Sequence, residues 1–246
     1  QYERSTYNTE RPVSFSSWPT LDPLDHQEVF PDEDTASIDL ANLKFSDSSA
    51  GYFASYHAYP YYPDFISTDP YYQSFSDHIG QNSYLGYLYD LKKHYNRFPL
   101  IIAEFGVPSS WGVAHYSHSG MNHGGNSEVE QGNSNIRLLK NIHDSHCGGG
   151  IQFSWIDEWW KPTWVTTPMD YLTYRRPLWH NLTAAEQNFG LLKFKKESRE
   201  YEIWATNANG KSIESAYVTH GYSCFHLRLD LEEKLQPDDS IWVALD

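Results

Sequence analysis

Pro99-Leu100-Ile101-Ile102-Ala103-Glu104-Phe105-Gly106 is a continuous apolar run that delivers a single carboxylate at its end, just ahead of a glycine. A run of this kind reads as a strand covered on both faces. In parallel barrels, chemistry sits at the carboxyl ends of such strands. Glu104 is therefore the first catalytic candidate. The competing reading is structural, a strand-end carboxylate paired with a neighbouring base, because perturbed carboxylates also occur in structural networks.

The flanks supply the scaffold. Upstream, Tyr84, Leu85, Leu88, Leu91 and Tyr95 recur at three and four residues, which predicts an amphipathic helix over Ser83 to Asn96 leading into the Glu104 strand. Downstream comes a long loop rich in Gly, Ser, Asn and His. A capping box at Ser127-Glu128-Val129-Glu130 then opens a helix through Ile136, Leu139 and Ile142 that stops at Gly148-Gly149-Gly150. The next strand, Ile151 to Asp157, ends in the cluster Glu158-Trp159-Trp160-Lys161-Pro162-Thr163-Trp164. Before all of these, Arg11 to Trp18 alternates like a strand. Gly51 to Pro60 predicts another, with Phe53, Ser55, His57 and Tyr59 on one face and Tyr61, Tyr62 and Pro63 as an aromatic rim.

Strand, helix, strand, helix, strand is the order of an α/β fold with a parallel sheet and right-handed crossovers. The acidic stretch Asp22 to Asp39 reads as a solvated loop, since it lacks the fixed ligand spacing of a calcium site. Beyond Gln187 the pattern changes. Phe189 to Phe194, Tyr201 to Thr206, Ser215 to Thr219, Cys224 to Leu231 and Ser240 to Leu245 read as strands with short turns such as Asn209-Gly210. The expected division is residues 1–187, an α/β domain, and residues 188–246, a small β-rich, sandwich-like domain.

Composition narrows the partner. A net charge of −14 opposes nucleic acid and anionic membrane surfaces, which would repel it. Aromatics make up 16% of the residues, with 19 Tyr and 9 Trp, more than a core demands. Such amphipathic rings suit a wet polar ligand with apolar faces, as sugars have. No apolar run approaches the ~20 residues of a membrane span, and no charged-then-apolar leader opens the chain. The start at Gln1 points to a processed product or an excised segment. Cys147 and Cys224 make at most one bridge, and the sequon Asn181-Leu182-Thr183 matters only in a eukaryotic secretory setting. His115, His118 and His123 lie in a glycine-rich loop without the tight, thiolate-paired spacing of structural zinc. They read as polar contacts on a loop overhanging a cleft, and no metal or cofactor is assigned.

With these strand ends in view, the chain resembles retaining glycoside hydrolases of clan A, over roughly residues 10 to 190. Arg11-Pro12-Val13 is similar to the opening of the fifth barrel strand in the β-galactosidase-like branch of that clan. The resemblance implies the carboxyl-terminal half of a (β/α)8 TIM-type barrel, with strands like the fifth to eighth. It makes Glu104, at the end of the seventh, the nucleophile. His57 and Tyr59, on the sixth, would face the sugar, with the Tyr59 hydroxyl orienting the nucleophile. Trp155, on the eighth, would stack on the ring, and Tyr61, Asp157, Glu158, Trp159 and Trp160 would line the substrate cleft. Period two places Asp157 on the face of Trp155.

A retaining mechanism needs two carboxyl groups about 5 to 5.5 Å apart, one attacking and one donating a proton. The clan's acid/base is a Glu preceded by Asn, and no Asn-Glu dipeptide occurs in this sequence. The acid/base and the first four strands are therefore expected upstream of this chain or on another one, and this chain alone is expected to be inactive. An upstream half-barrel, or self-association, would cover the exposed sheet edges, and the ligand class is an oligo- or polysaccharide. Two rivals stand beside this reading: a catalytically inactive barrel that binds glycans, and a structural or assembly module whose aromatics form core and interface.

Overall fold

The computed structural model describes residues 2–26, 36–45, 49–165, 167–169, 184–194, 201–204, 213–220 and 225–241. The chain divides into two compact units, Gln1–Lys193 and Phe194–Asp246.

The first unit is a mixed α/β structure built on a four-stranded parallel sheet. Its strands are β1 (Ser16–Ser17), β2 (Ala54–His57), β3 (Leu100–Phe105) and β6 (Gly149–Gln152), lying side by side in chain order. α4 (Ser83–His94) connects β2 to β3, and α5 (Glu128–Asp144) connects β3 to β6. A small antiparallel pair, β4 (Val113–His115) with β5 (His123–Gly124), stands in the long loop after β3. Three short helices, α1 (Tyr2–Tyr7), α2 (Asp64–Thr68) and α3 (Pro70–Gln73), complete the unit.

Local sequence accounts for the helix boundaries. Asn82 caps α4 by accepting from the Leu85 amide at 3.2 Å. The capping box of α5 forms as its sequence predicts: Ser127 Oγ accepts from the Glu130 amide at 3.2 Å, and the Glu130 carboxylate accepts from the Ser127 amide at 2.7 Å. One face of the sheet is sealed. Ala54, Tyr56, Ala58, Leu100 and Ile102 are fully buried in one cluster with Leu88 and Leu91 of α4 and Leu138 and Ile142 of α5.

The other face is open, which corrects the expectation of a strand covered on both sides. Ile101 and Ala103 are half-buried, while Ile151 is 58% exposed. No described layer covers them as α4 and α5 cover the opposite side.

Other differences have local causes. The acidic stretch is not uniformly solvated. Asp22 is buried, accepting from the Leu24 amide (2.9 Å) and Tyr87 Oη (2.8 Å), with His26 Nε2 at 3.0 Å. Asp39 caps the 3-10 turn Leu40–Asn42 through the Ala41 amide, and residues 27–35 of that stretch lie outside the described residues. Phe189 to Phe194 is not a strand of a separate domain. Its Leu191 and Leu192 amides donate to the Ser154 and Trp155 carbonyls, and the Asp157 amide donates to Leu192, so the first unit ends at Lys193 rather than 187.

In the second unit, β7 (Tyr201–Trp204), β8 (Ile213–His220) and β9 (Phe225–Leu231) form one antiparallel sheet in that order. The Arg228 guanidinium lies 4.1 Å from the centre of the Tyr217 ring. The sequon, the Asn209-Gly210 turn and most of the expected last strand lie outside the described residues. Among the described residues no helix is long and apolar enough to cross a membrane.

Candidate functional site

Glu104 reaches the site because β3 carries one extra residue. Tyr56 pairs with Ile102, but His57 pairs with Glu104. On the other side Ile102 pairs with Gly150 and Phe105 with Gln152. Against both neighbours β3 is one residue long at Ala103, the count of a β-bulge, which re-aims the side chain that follows it. Strict alternation from Leu100 and Ile102 would send Glu104 into the core. The bulge instead returns Phe105 to the buried face, 2% exposed, and leaves Glu104 level with His57.

Tyr59 Oη donates to Glu104 Oε2 at 2.8 Å, and His57 Nδ1 lies 3.3 Å from the same oxygen. Burial is the main force pushing the Tyr59 phenol far above its usual range, with neighbouring Tyr61 and Glu104 adding to it. Tyr59 therefore remains a donor at every working pH. The sequence-derived trio of Glu104, Tyr59 and His57 thus meets at the carboxyl end of the sheet, with Tyr59 hydrogen-bonded to the carboxylate and His57 beside it. Trp18, at the end of the β1 segment and 46% exposed, packs on His57 with ring centres 5.9 Å apart.

Glu104 opens onto a cavity of about 200 Å³. Tyr59, Tyr61, Tyr62, Phe153, Phe189 and Trp164 supply its aromatic walls, and His115, His123, Lys161 and Glu186 its polar ones. Tyr61 is not a rim residue. It is 2% exposed and stacks under His123, centres 4.4 Å apart and planes 6° from parallel. Trp164 is 60% exposed and packs edge-on to Tyr62 at 5.6 Å. Two of the three loop histidines reach the cavity; His118 instead lies 3.4 Å from Ser83 Oγ.

The candidates after β6 divide. Trp155 is 70% exposed and does not line the cavity; Phe153, two residues earlier, does. The reason is that β6 ends at Gln152, so period-two alternation does not extend to Trp155. Asp157 is buried, but it clips the chain rather than facing the cavity: its carboxylate accepts from Asn188 Nδ2 at 3.0 Å and from the Gly190 amide at 2.9 Å. Glu158 pairs with Lys161 at 3.1 Å. Trp159 and Trp160 pack on each other at 90°, and neither is part of the cavity wall.

The residue that sequence reading missed is Glu186. Its Oε1 lies 3.4 Å from His123 Nε2, and its Oε2 lies 3.4 Å from Lys161 Nζ. Burial pushes this carboxyl up, but the His123 ring and the Lys161 charge outweigh burial and hold it below the usual range. Nothing periodic marks Glu186 in the sequence, and its partner His123 is 63 positions away.

Chemically the cavity offers an oriented carboxylate, a second carboxylate held ionised, phenol and amine donors, and flat apolar walls. Among the described residues no group of three or more His, Cys, Asp or Glu side chains is placed to hold a metal ion. No family model, no curated protein and no solved structure matches this chain.

Proposed function

We propose that the first unit is the carboxyl-terminal half of a (β/α)8-type barrel in a retaining β-glycoside hydrolase, with Glu104 as the nucleophile. The observation that carries this reading is the bulged end of β3. There Tyr59 and His57 converge on one oxygen of a carboxylate that lines an aromatic-walled cavity. Glu104 attacks the anomeric carbon and forms a glycosyl ester as the bond to the aglycone oxygen breaks, that oxygen taking a proton from the acid/base of the complementary half; water, deprotonated by the same group, then hydrolyses the ester. The Tyr59 hydroxyl fixes the carboxylate and His57 braces it, while Phe153 and Trp164 offer apolar faces to the sugar. Four adjacent parallel strands with α4 and α5 on one side also support the barrel reading, because the remaining strands would cover the face bearing Ile101 and Ile151.

The acid/base belongs to that complementary half. Glu186 is poorly tuned for the task, since a proton donor needs a raised carboxyl and this one is held down. The same observation favours a second reading, a glycan-binding barrel without turnover. The two separate in one experiment. In the protein carrying this chain together with its complementary half, Glu104→Gln abolishes hydrolysis of aryl β-glycosides and leaves the circular dichroism spectrum unchanged. Unchanged turnover refutes the nucleophile; oligosaccharide binding without any product supports the second reading.

A further inference from the structure

We infer that Glu186, His123 and Lys161 form a hydroxyl-recognition subsite in the Glu104 cavity that selects an uncharged glycosyl ring over the corresponding uronic acid. The inference rests on reading the cavity as a sugar site, and adds the ligand's charge class and the residues that select it.

The first observation is an unsatisfied histidine. His123 is 3% exposed, lines the cavity, and has its ring plane fixed by the stack on Tyr61. Neither ring nitrogen makes an aligned hydrogen bond; Nε2 faces Glu186 only at 3.4 Å. A buried polar atom without a partner is costly. Both nitrogens are closed to solvent, so the ring walls the cavity and braces Glu186 rather than touching a ligand itself. His115, stacked parallel to His123 at 5.6 Å, likewise leaves Nε2 unpartnered. These two parallel rings form one wall of the cavity.

The second observation is the charge balance. Among the described lining residues Lys161 is the one lysine or arginine, and it is already shared between Glu158 at 3.1 Å and Glu186 at 3.4 Å. It also lies 4.4 Å over the Phe153 ring. Glu104 adds a further carboxylate to the same wall. An entering carboxylate therefore meets two like charges and a cation whose charge is already matched. A neutral pyranose meets the opposite situation. Each hydroxyl both donates and accepts, so adjacent hydroxyls can donate to the Glu186 carboxylate while accepting from Lys161. The His123 and Lys161 contacts keep Glu186 ionised, and hence acceptor-only, at neutral pH.

The test is ligand-observed NMR titration of this chain at pH 7. The probes are methyl β-D-glucopyranoside and methyl β-D-galactopyranoside, each against its own uronate. At least one neutral glycoside is expected to bind ten or more times tighter than its uronate. Glu186→Gln should weaken the neutral ligand at least tenfold and bring the two members of the pair within about threefold. Lys161→Met should act the other way and widen the gap, which keeps the test decisive if one variant folds poorly by circular dichroism. Equal or tighter uronate binding overturns the inference, as does binding of neither member, or an unchanged ratio in both variants. Covalent labelling of Glu104 by a fluorosugar is independent of these titrations. If labelling persists while the ratio fails, the subsite is wrong and the nucleophile stands; if both fail, the sugar-site reading falls with it.

Discussion

The scaffold behind the site rests on one buried ion pair, and its removal has a calculable cost. Asp77, in the loop before α4, is 3% exposed at its side chain, and Arg137 of α5 is 8% exposed. Asp77 accepts three hydrogen bonds on each oxygen. Oδ1 takes the Ile79 and Gly80 amides and Arg137 Nη2 at 2.8, 3.1 and 2.9 Å. Oδ2 takes Asn82 Nδ2, Arg137 Nε and Asn141 Nδ2 at 2.7, 2.7 and 3.1 Å. Asp77→Ala strands a buried guanidinium, a change that costs about 3–5 kcal/mol. Arg137 keeps the Gly80 and Gln81 carbonyls at 3.3 and 3.0 Å, so the expected loss is at the lower end, about 3 kcal/mol. With a urea dependence of about 2 kcal/mol per molar, the unfolding midpoint falls by roughly 1.5 M. The double variant Asp77→Ala/Arg137→Met should recover part of that loss, because no buried charge remains. Burial alone pushes the Asp77 carboxyl up, but the Arg137, Asn82, Ile79 and Asn141 hydrogen bonds overcome it and hold it well below the normal value of 3.8. Its contribution is therefore complete above pH 4 and is lost as the pH falls towards the depressed folded value. The variant's stability should lose that acid-limb slope. A loss below about 1 kcal/mol, or an unchanged acid limb, refutes the argument. The pair bears on function because the same helix holds the loop after β3: Asn135 Oδ1 accepts from the Val107 amide at 3.1 Å, and Gln131 Nε2 donates to the Asn188 carbonyl at 2.9 Å.

Further outcomes are specific. Tyr59→Phe removes the 2.8 Å donor from Glu104. Because His57 remains and Glu104 is part-exposed, the loss is about 1.5 kcal/mol, read as roughly tenfold slower fluorosugar labelling with no change in melting temperature. Gly106→Ala places a Cβ 2.6 Å from the Phe153 carbonyl oxygen at a φ of +156°. Neither backbone can yield cheaply, so about 2–3 kcal/mol of stability should be lost in urea titration. Ser127→Ala removes the α5 cap and should cost about 1 kcal/mol in the same assay. Glu186, whose carboxyl is held below 4.5, contributes stability above that pH which fades on acidification; Glu186→Gln should flatten stability across this window.

The scaffold was legible where local signals act alone. The Ser127 and Glu130 spacing placed the start of α5, and the apolar repeat placed α4, because capping and amphipathicity are properties of a few neighbouring residues. The β2 alternation correctly put Ser55, His57 and Tyr59 opposite the buried Ala54, Tyr56 and Ala58. Periodicity failed where the strand itself is irregular or ends. The extra residue at Ala103 reverses the phase of Glu104, and the end of β6 at Gln152 hands the cavity wall to Phe153 in place of Trp155. Gly149 and Gly150 belong to β6 rather than to the turn before it, and a Cβ at Gly150 would lie 2.8 Å from both Ile142 and Phe105. Glu186 and Asp22 were out of reach for another reason. Their roles come from partners such as His123 and Tyr87, more than 60 positions away, that only the fold brings together.

The most direct test of the central claim is covalent trapping. 2,4-Dinitrophenyl 2-deoxy-2-fluoro-β-D-glucopyranoside and its galacto counterpart carry a leaving group that departs without a proton, so the missing acid/base is not needed for the first step. The fluorine slows hydrolysis of the ester that forms. Peptide mapping by mass spectrometry should find one fluoroglycosyl group, attached to Glu104. No adduct with either reagent, or an adduct on another residue in a folded protein, contradicts the account.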